Sequence, residues 1–198
     1  RGVSGHELDE SLWRSRCLVR TDPESGRLFE LRTIEPALVW AQLATALDLV
    51  DLVALGDAMV WGAKRCTSRE QLAWAVEAWA GRRGAKRLRV ALSRVREGSL
   101  SRAESLHRQL LVAAGIPEPE LNVIVRDRQG NEIAMADEVW SRYRVLAEYE
   151  GDGHRTSRGK FRSDIVRFER YADGEWAALR AQADDLFVDP NPFIARLW

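Results

Sequence analysis

The stretch LAEYEGDGHR (146–155) gathers three carboxylates, Glu148, Glu150 and Asp152, with one histidine, His154. Crowded carboxylates raise the cost of ionising one another, so the cluster marks either a solvated turn or a divalent-cation site. Upstream, EIAMADEVW (132–140) alternates as a strand and puts Asp137 in phase with Ile133, Met135 and Val139. A carboxylate on a core-facing row is costly unless it is paired or bound to a metal. An arginine partner is the simpler solution for Asp137 alone. Taken together, Asp137, Glu148 and Glu150 form an all-oxygen ligand set that suits Mg2+ or Mn2+, with water completing the octahedron. His154 follows a glycine-containing turn. It reads as a surface histidine or as a general acid–base or phosphate-contacting group.

Two strands must position these acids. An antiparallel hairpin about SRY (141–143) sets Asp137 across from about Tyr149, between the two glutamates, within a residue or two. Before it, SRAESLHRQLLVAAG reads as a helix, with Ser101 and Glu104 in capping-box spacing and Gly115 as its stop. Glu104 is most simply the capping acid, and it faces the acidic cluster if that helix packs on the sheet. LNVIVRD is a further strand. After the acids, HRTSRGKFR reads as a basic loop carrying Arg155, Arg158, Lys160 and Arg162. Next come a helix with Phe161, Ile165 and Phe168 on one stripe, the short strand WAALR, and a closing helix behind the prolines of DPNPFIARLW. Asp164 and Arg167 are spaced to pair with each other or to reach the site.

The first half is different in texture. Residues up to 33 hold a short hairpin around Pro23 to Gly26, and from Pro36 the pattern turns helical, running on through LVDLVALGDAMVWG to Gly62. A second helix starts after Thr67–Ser68 and ends at Gly81. The third, RRGAKRLRVALSRVREG, sets Leu88, Ala91, Leu92 and Val95 against a positive face that includes Lys86, Arg87 and Arg94. That face reads equally as a solvated surface or as a phosphate contact. The expected division is a helical region over 1–99 and an α/β domain over 100–198.

Composition sets outer limits. The 198 residues, 45% of them hydrophobic and eight of them tryptophan, suffice for a folded protein with a real core. A formal net charge of zero leaves any attraction to nucleic acid to local patches. Arginine makes up 27 of the 30 basic residues, which codon bias explains, although arginine also reads phosphate well. Cys17 and Cys66 stand apart with no CxxC, which argues against a disulfide scaffold or cysteine zinc site and fits a cytoplasmic protein. No apolar run is long enough to cross a bilayer. The start RGVSG, without Met or leader, fits a fragment.

The order helix, three strands, helix, strand, with Asp137, then Glu148-Tyr149-Glu150-Gly and His154, resembles the PD-(D/E)XK nuclease superfamily. The branch is the one similar to very-short-patch-repair endonucleases, and SDIVRFERYADGEW, with Asp164, Arg167 and Trp176, looks like it too. The resemblance covers roughly residues 100–186. It implies a restriction-endonuclease-like αβββαβ core with a mixed sheet flanked by helices. It further implies Asp137 and Glu148 as metal-binding acids, the Tyr149 carbonyl as an added ligand, His154 as the family histidine and Glu104 as the acid of the first motif. Glu150 stands where the superfamily carries lysine, and an acid cannot offer that positive charge to a developing oxyanion. The implied activity is Mg2+- or Mn2+-dependent cleavage of DNA, with Arg155, Arg158, Lys160, Arg162, Lys86, Arg87 and Arg94 on the backbone. A double-strand cut by one centre per chain would need a homodimer. The alternatives are a DNA-binding regulator that keeps the fold without the chemistry, and a protein–protein module whose acids form an exposed turn.

Overall fold

The structure is a computed structural model describing residues 16–21, 24–63, 65–150 and 158–198. Strands β1 (Arg16–Thr21) and β2 (Leu28–Thr33) pair antiparallel, as the turn residues between them predict. The helical run from Pro36 is broken where the sequence pattern reads through. Helix α1 (Pro36–Leu43) ends, and Asp48 caps a new helix, α2 (Leu49–Val60), by accepting the Asp51 N–H at 2.8 Å. The break is stable because a guanidinium from elsewhere, Arg87, donates to the carbonyls of Ala44 and Leu47, oxygens that a continued helix would have satisfied itself. Helix α3 (Arg69–Ala78) carries a full capping box between Ser68 and Gln71. Helix α4 (Ala85–Arg94) closes the bundle. Its core contains Trp40, Leu52, Leu72, Leu88 and Val95, all fully buried, and the Trp40 indole donates to the Leu52 carbonyl at 2.8 Å.

Helix α5 (Arg102–Ala113) leads into the sheet, built from β3 (Glu120–Arg126), β4 (Glu132–Trp140), β5 (Val145–Glu150) and β6 (Ala177–Gln182) in that order. The first three strands run antiparallel, and β6 lies parallel to β5 after the crossover helix α6 (Arg158–Asp173). One face packs Leu146, Tyr171 and Trp176. The other packs Leu111, Trp140, Ala147 and Phe193 beneath α5 and α8 (Asn191–Leu197). A short helix, α7 (Ala183–Phe187), had no counterpart in the sequence pattern. The chain thus adopts the expected class: a helical region, then an α/β core with a mixed sheet flanked by helices.

A buried polar cluster joins the two parts. Asp57 of α2, fully buried, accepts from Ser105 and Arg108 of α5 and from the Arg96 N–H. Arg108 also reaches Glu118 at 2.6 Å.

Candidate functional site

The ladder between β4 and β5 pairs Trp140 with Val145, Val139 with Leu146 and Glu138 with Ala147, then stops. Strand β5 runs on, held by β6 as far as Glu150 opposite Gln182. Just past the last pair, Oδ2 of Asp137, one residue beyond Glu138, accepts the N–H of Tyr149, two residues beyond Ala147, at 2.9 Å. The hairpin about SRY therefore has the expected register to within one residue, since the ladder carried on would set Asp137 opposite Glu148 rather than Tyr149. The two acid-bearing segments meet where the strands separate.

The strict alternation expected along β4 does not hold. Met135 is half exposed while its neighbour Ala136 is fully buried. A register shift opposite Ile133 and a left-handed Asn122 (φ 48°) on β3 break the two-residue period. Asp137 is therefore not one more position on a core-facing row. It lies in an irregular stretch, and among the described residues the Tyr149 N–H rather than an arginine stands against its carboxylate.

Electrostatics marks this place. Burial, and then the negative charges of Glu148, Glu104 and Glu138, push the Asp137 carboxyl up to about 7, against the opposing pull of the Tyr149 N–H. Glu148 is almost wholly buried. Its Oε1 accepts from the Tyr171 hydroxyl at 2.6 Å, and its Oε2 lies 3.6 Å from Arg167. Its carboxyl is also raised, mainly by burial, with Tyr171 and Arg167 acting in the opposite direction. The Tyr171 phenol is pushed up by burial and by its bond to Glu148. Arg167 pairs in addition with Asp164 at 3.2 Å, so the couple pairs as foreseen and its arginine also reaches Glu148.

Glu150 lies further out, half exposed, with Arg180 at 3.3 Å. Arg180 itself stacks on Phe168. Glu104 fulfils half of a capping box. Ser101 Oγ accepts the Glu104 N–H, while the Glu104 carboxylate takes the Leu100 N–H and the Asn122 amide, each at 2.9 Å. The same amide also donates to the Gly98 carbonyl. There the chain runs so close that a Cβ on Gly98 (φ 110°) would lie 2.7 Å from Leu121 Cβ. Asn122 thus ties α5 to β3 and holds Glu104 where its charge is felt by Asp137. Behind Asp137, Glu138 meets His107 Nδ1 at 2.8 Å, both completely buried.

His154 and Arg155 lie outside the described residues. The expected basic loop is corrected in part: Arg158, Lys160 and Arg162 belong to the first turns of α6, and their side chains lie outside the described residues. The buried side of that helix (Phe168, Tyr171) supports it, and once nucleated, extra turns cost little. Lys86 and Arg94 are exposed on α4, whereas Arg87 is engaged with α1 carbonyls. Tyr171, Arg180, Asn122 and His107 were not singled out in the sequence. Tyr171 follows Phe168 by three residues and reads simply as core.

Among the described residues, no three His, Cys, Asp or Glu side chains form a ready cage for a metal ion. Asp137 and Glu148 with water need no third carboxylate, since Mg2+ commonly takes one or two and keeps several waters.

No family model matches the chain. It is 28% identical over 182 residues to two Mycobacterium tuberculosis proteins, Uncharacterized protein MT2308 of strain CDC 1551 and Uncharacterized protein Rv2248 of strain H37Rv. The match covers 92% of this chain, which spans about 65% of the length of those relatives. No solved structure matches. Among the described residues, no helix is long and apolar enough to cross a membrane.

Proposed function

We propose that this chain is a Mg2+- or Mn2+-dependent endonuclease that hydrolyses DNA phosphodiester bonds and works in the cytoplasm. The observation that supports it most is the meeting of Asp137 and Glu148 where β4 and β5 part, with both carboxyls raised and Asp137 at about 7. An ordered carboxylate whose charge is disfavoured by its surroundings is prepared for a cation. Asp137 and Glu148 would hold the ion, with the Tyr149 carbonyl beside them. Such an ion supplies Lewis-acid stabilisation of charge on a phosphoryl oxygen.

The protein's own groups do the rest. The Tyr149 N–H and the Tyr171 hydroxyl fix the two carboxylates, so neither has to reorganise when substrate arrives. Glu104 adds negative charge from α5 and strengthens the demand for a cation. Arg167, 3.6 Å from Glu148, offers the positive charge that Glu150 cannot. Glu150, oriented by Arg180, or His154 beyond it, accepts the proton of the attacking water.

A second reading has its own support. Tyr171 and Arg167 already satisfy Glu148, and Arg180 satisfies Glu150, an arrangement that suits a DNA-binding protein without cleavage. Supercoiled plasmid incubated with protein and Mg2+ or Mn2+ decides between them. The nuclease reading expects metal-dependent nicking that falls by ~10²-fold or more in Glu148→Gln and Asp137→Asn. Salt-sensitive binding with intact plasmid would establish the second reading instead.

A further inference from the structure

An open groove of about 590 Å³ lies away from the acids, between the end of α1 and the start of α4. It is lined by Ala44, Thr45 and the 81–87 segment, with Arg89. Five of its residues are cationic (Arg82, Arg83, Lys86, Arg87 and Arg89), and none is acidic. We infer that this groove is a second nucleic-acid contact, one that grips the phosphodiester backbone of DNA. It deepens the nucleic-acid reading above and rests on it.

The groove is built rather than incidental. Gly81 (φ 78°) and Gly84 (φ 90°) turn the α3–α4 link in the left-handed region. A Cβ on Gly84 would lie 3.0 Å from that of Ala44, so the link can sit close against α1 only as glycine. Arg87 forms the floor: it is committed to the Ala44 and Leu47 carbonyls at 2.9 and 2.7 Å. That takes it out of the list of free phosphate contacts the sequence suggested and makes it the residue that holds the walls together. Arg82 lies over the Trp79 ring at 5.1 Å, which orders its guanidinium at little further entropic cost. Arg83, Lys86 and Arg89 are exposed. Among the described residues, none of Arg82, Arg83, Lys86 and Arg89 has an acidic partner.

That imbalance is informative in a chain of zero net charge. Elsewhere Arg96, Arg102, Arg126 and Arg128 each find a carboxylate. Like charges crowded into a concavity repel one another and focus the local field. A polyanion relieves the repulsion and releases its counterions. An open channel lined by five cations and no acid fits contact with the phosphate backbone.

The test separates the groove from the cleavage chemistry. Binding of a short labelled duplex is followed by fluorescence anisotropy in chelator, where no metal-dependent cut occurs, over a range of salt. The triple variant Arg83→Ala, Lys86→Ala and Arg89→Ala is compared with a control triple, Arg126→Ala, Arg128→Ala and Arg142→Ala, on the turns of the sheet. Circular dichroism and melting verify that both remain folded. The groove variant should bind at least ~10-fold more weakly, with its log–log salt slope reduced by roughly 2–3, while the control stays near wild type. An unchanged groove variant, an equal loss in both triples, or a wild type that does not bind overturns the inference. Plasmid nicking by an unaltered groove variant would leave the nuclease reading standing. Groove-dependent binding without nicking would do the reverse.

Discussion

The N–H of Tyr149, two residues beyond Ala147, donates at 2.9 Å to Oδ2 of Asp137, one residue beyond Glu138, and Glu138 and Ala147 are the last paired residues of their two strands. A side chain takes over the bond that a continuing ladder would have made. The strands can then separate without orphaning a buried donor. The carboxylate receives a fixed position in return, in surroundings that disfavour its charge.

Stability without metal should fall as pH rises. The folded Asp137 carboxyl sits at about 7, above its ordinary 3.8. Between those values the native state holds a proton that the unfolded chain has released, so raising the pH favours unfolding, and the effect levels off above about 7. Asp137→Asn removes this loss and should be more stable than wild type by on the order of 2 kcal/mol near pH ~8, and close to neutral near pH ~4. Urea titrations in chelator measure it. A variant no more stable at alkaline pH contradicts the electrostatic picture.

Mn2+ or Mg2+ should restore what the crowded charge costs. At saturating metal, about 1–3 kcal/mol of added stability is expected for wild type above neutral pH. Asp137→Asn and Glu148→Gln should gain much less. Differential scanning calorimetry with and without metal reads this with no substrate present, and equal gains in all three proteins would place the ion elsewhere.

Tyr171 should matter for stability as well as for the site. Tyr171→Phe keeps the ring but strips the buried Glu148 carboxylate of its 2.6 Å donor. A loss of roughly 1–3 kcal/mol follows, the cost of an unsatisfied buried acceptor. Lowering the pH, which protonates Glu148, should recover part of it. A variant as stable as wild type at neutral pH would show that the bond contributes little.

The pair Asp57–Arg108, at 2.9 Å and buried on both sides, fastens α2 to α5. Arg108→Met leaves Asp57 without its cation and should destabilise by about 3–5 kcal/mol. Hydrogen exchange should then accelerate in α2 and α5 together. Exchange rising in α5 alone would mean that the pair does not couple the two parts.

Much of the chain was legible from local chemistry. Ser68 with Gln71, Ser101, and the left-handed Gly115 mark helix ends, and each lies within a few residues of what it caps. The SRY turn sets the β4–β5 register for the same reason: a hairpin's register follows from its turn. That register alone brings Asp137 beside Glu148, so the heart of the candidate site was written in one short segment.

The tertiary structure decided the partners and the interruptions. Sequence periodicity sees neither the bulge at Ile133, which depends on the pairing with β3, nor the break after α1, which is held by Arg87 from α4. It was equally silent on Tyr171 reaching Glu148 and on Arg180 reaching Glu150 from another strand. Helical and strand patterns arise from interactions a few residues apart, and one chain can display them unaided. Which group satisfies a buried carboxylate depends on where distant elements come to rest, and only the packed fold specifies that.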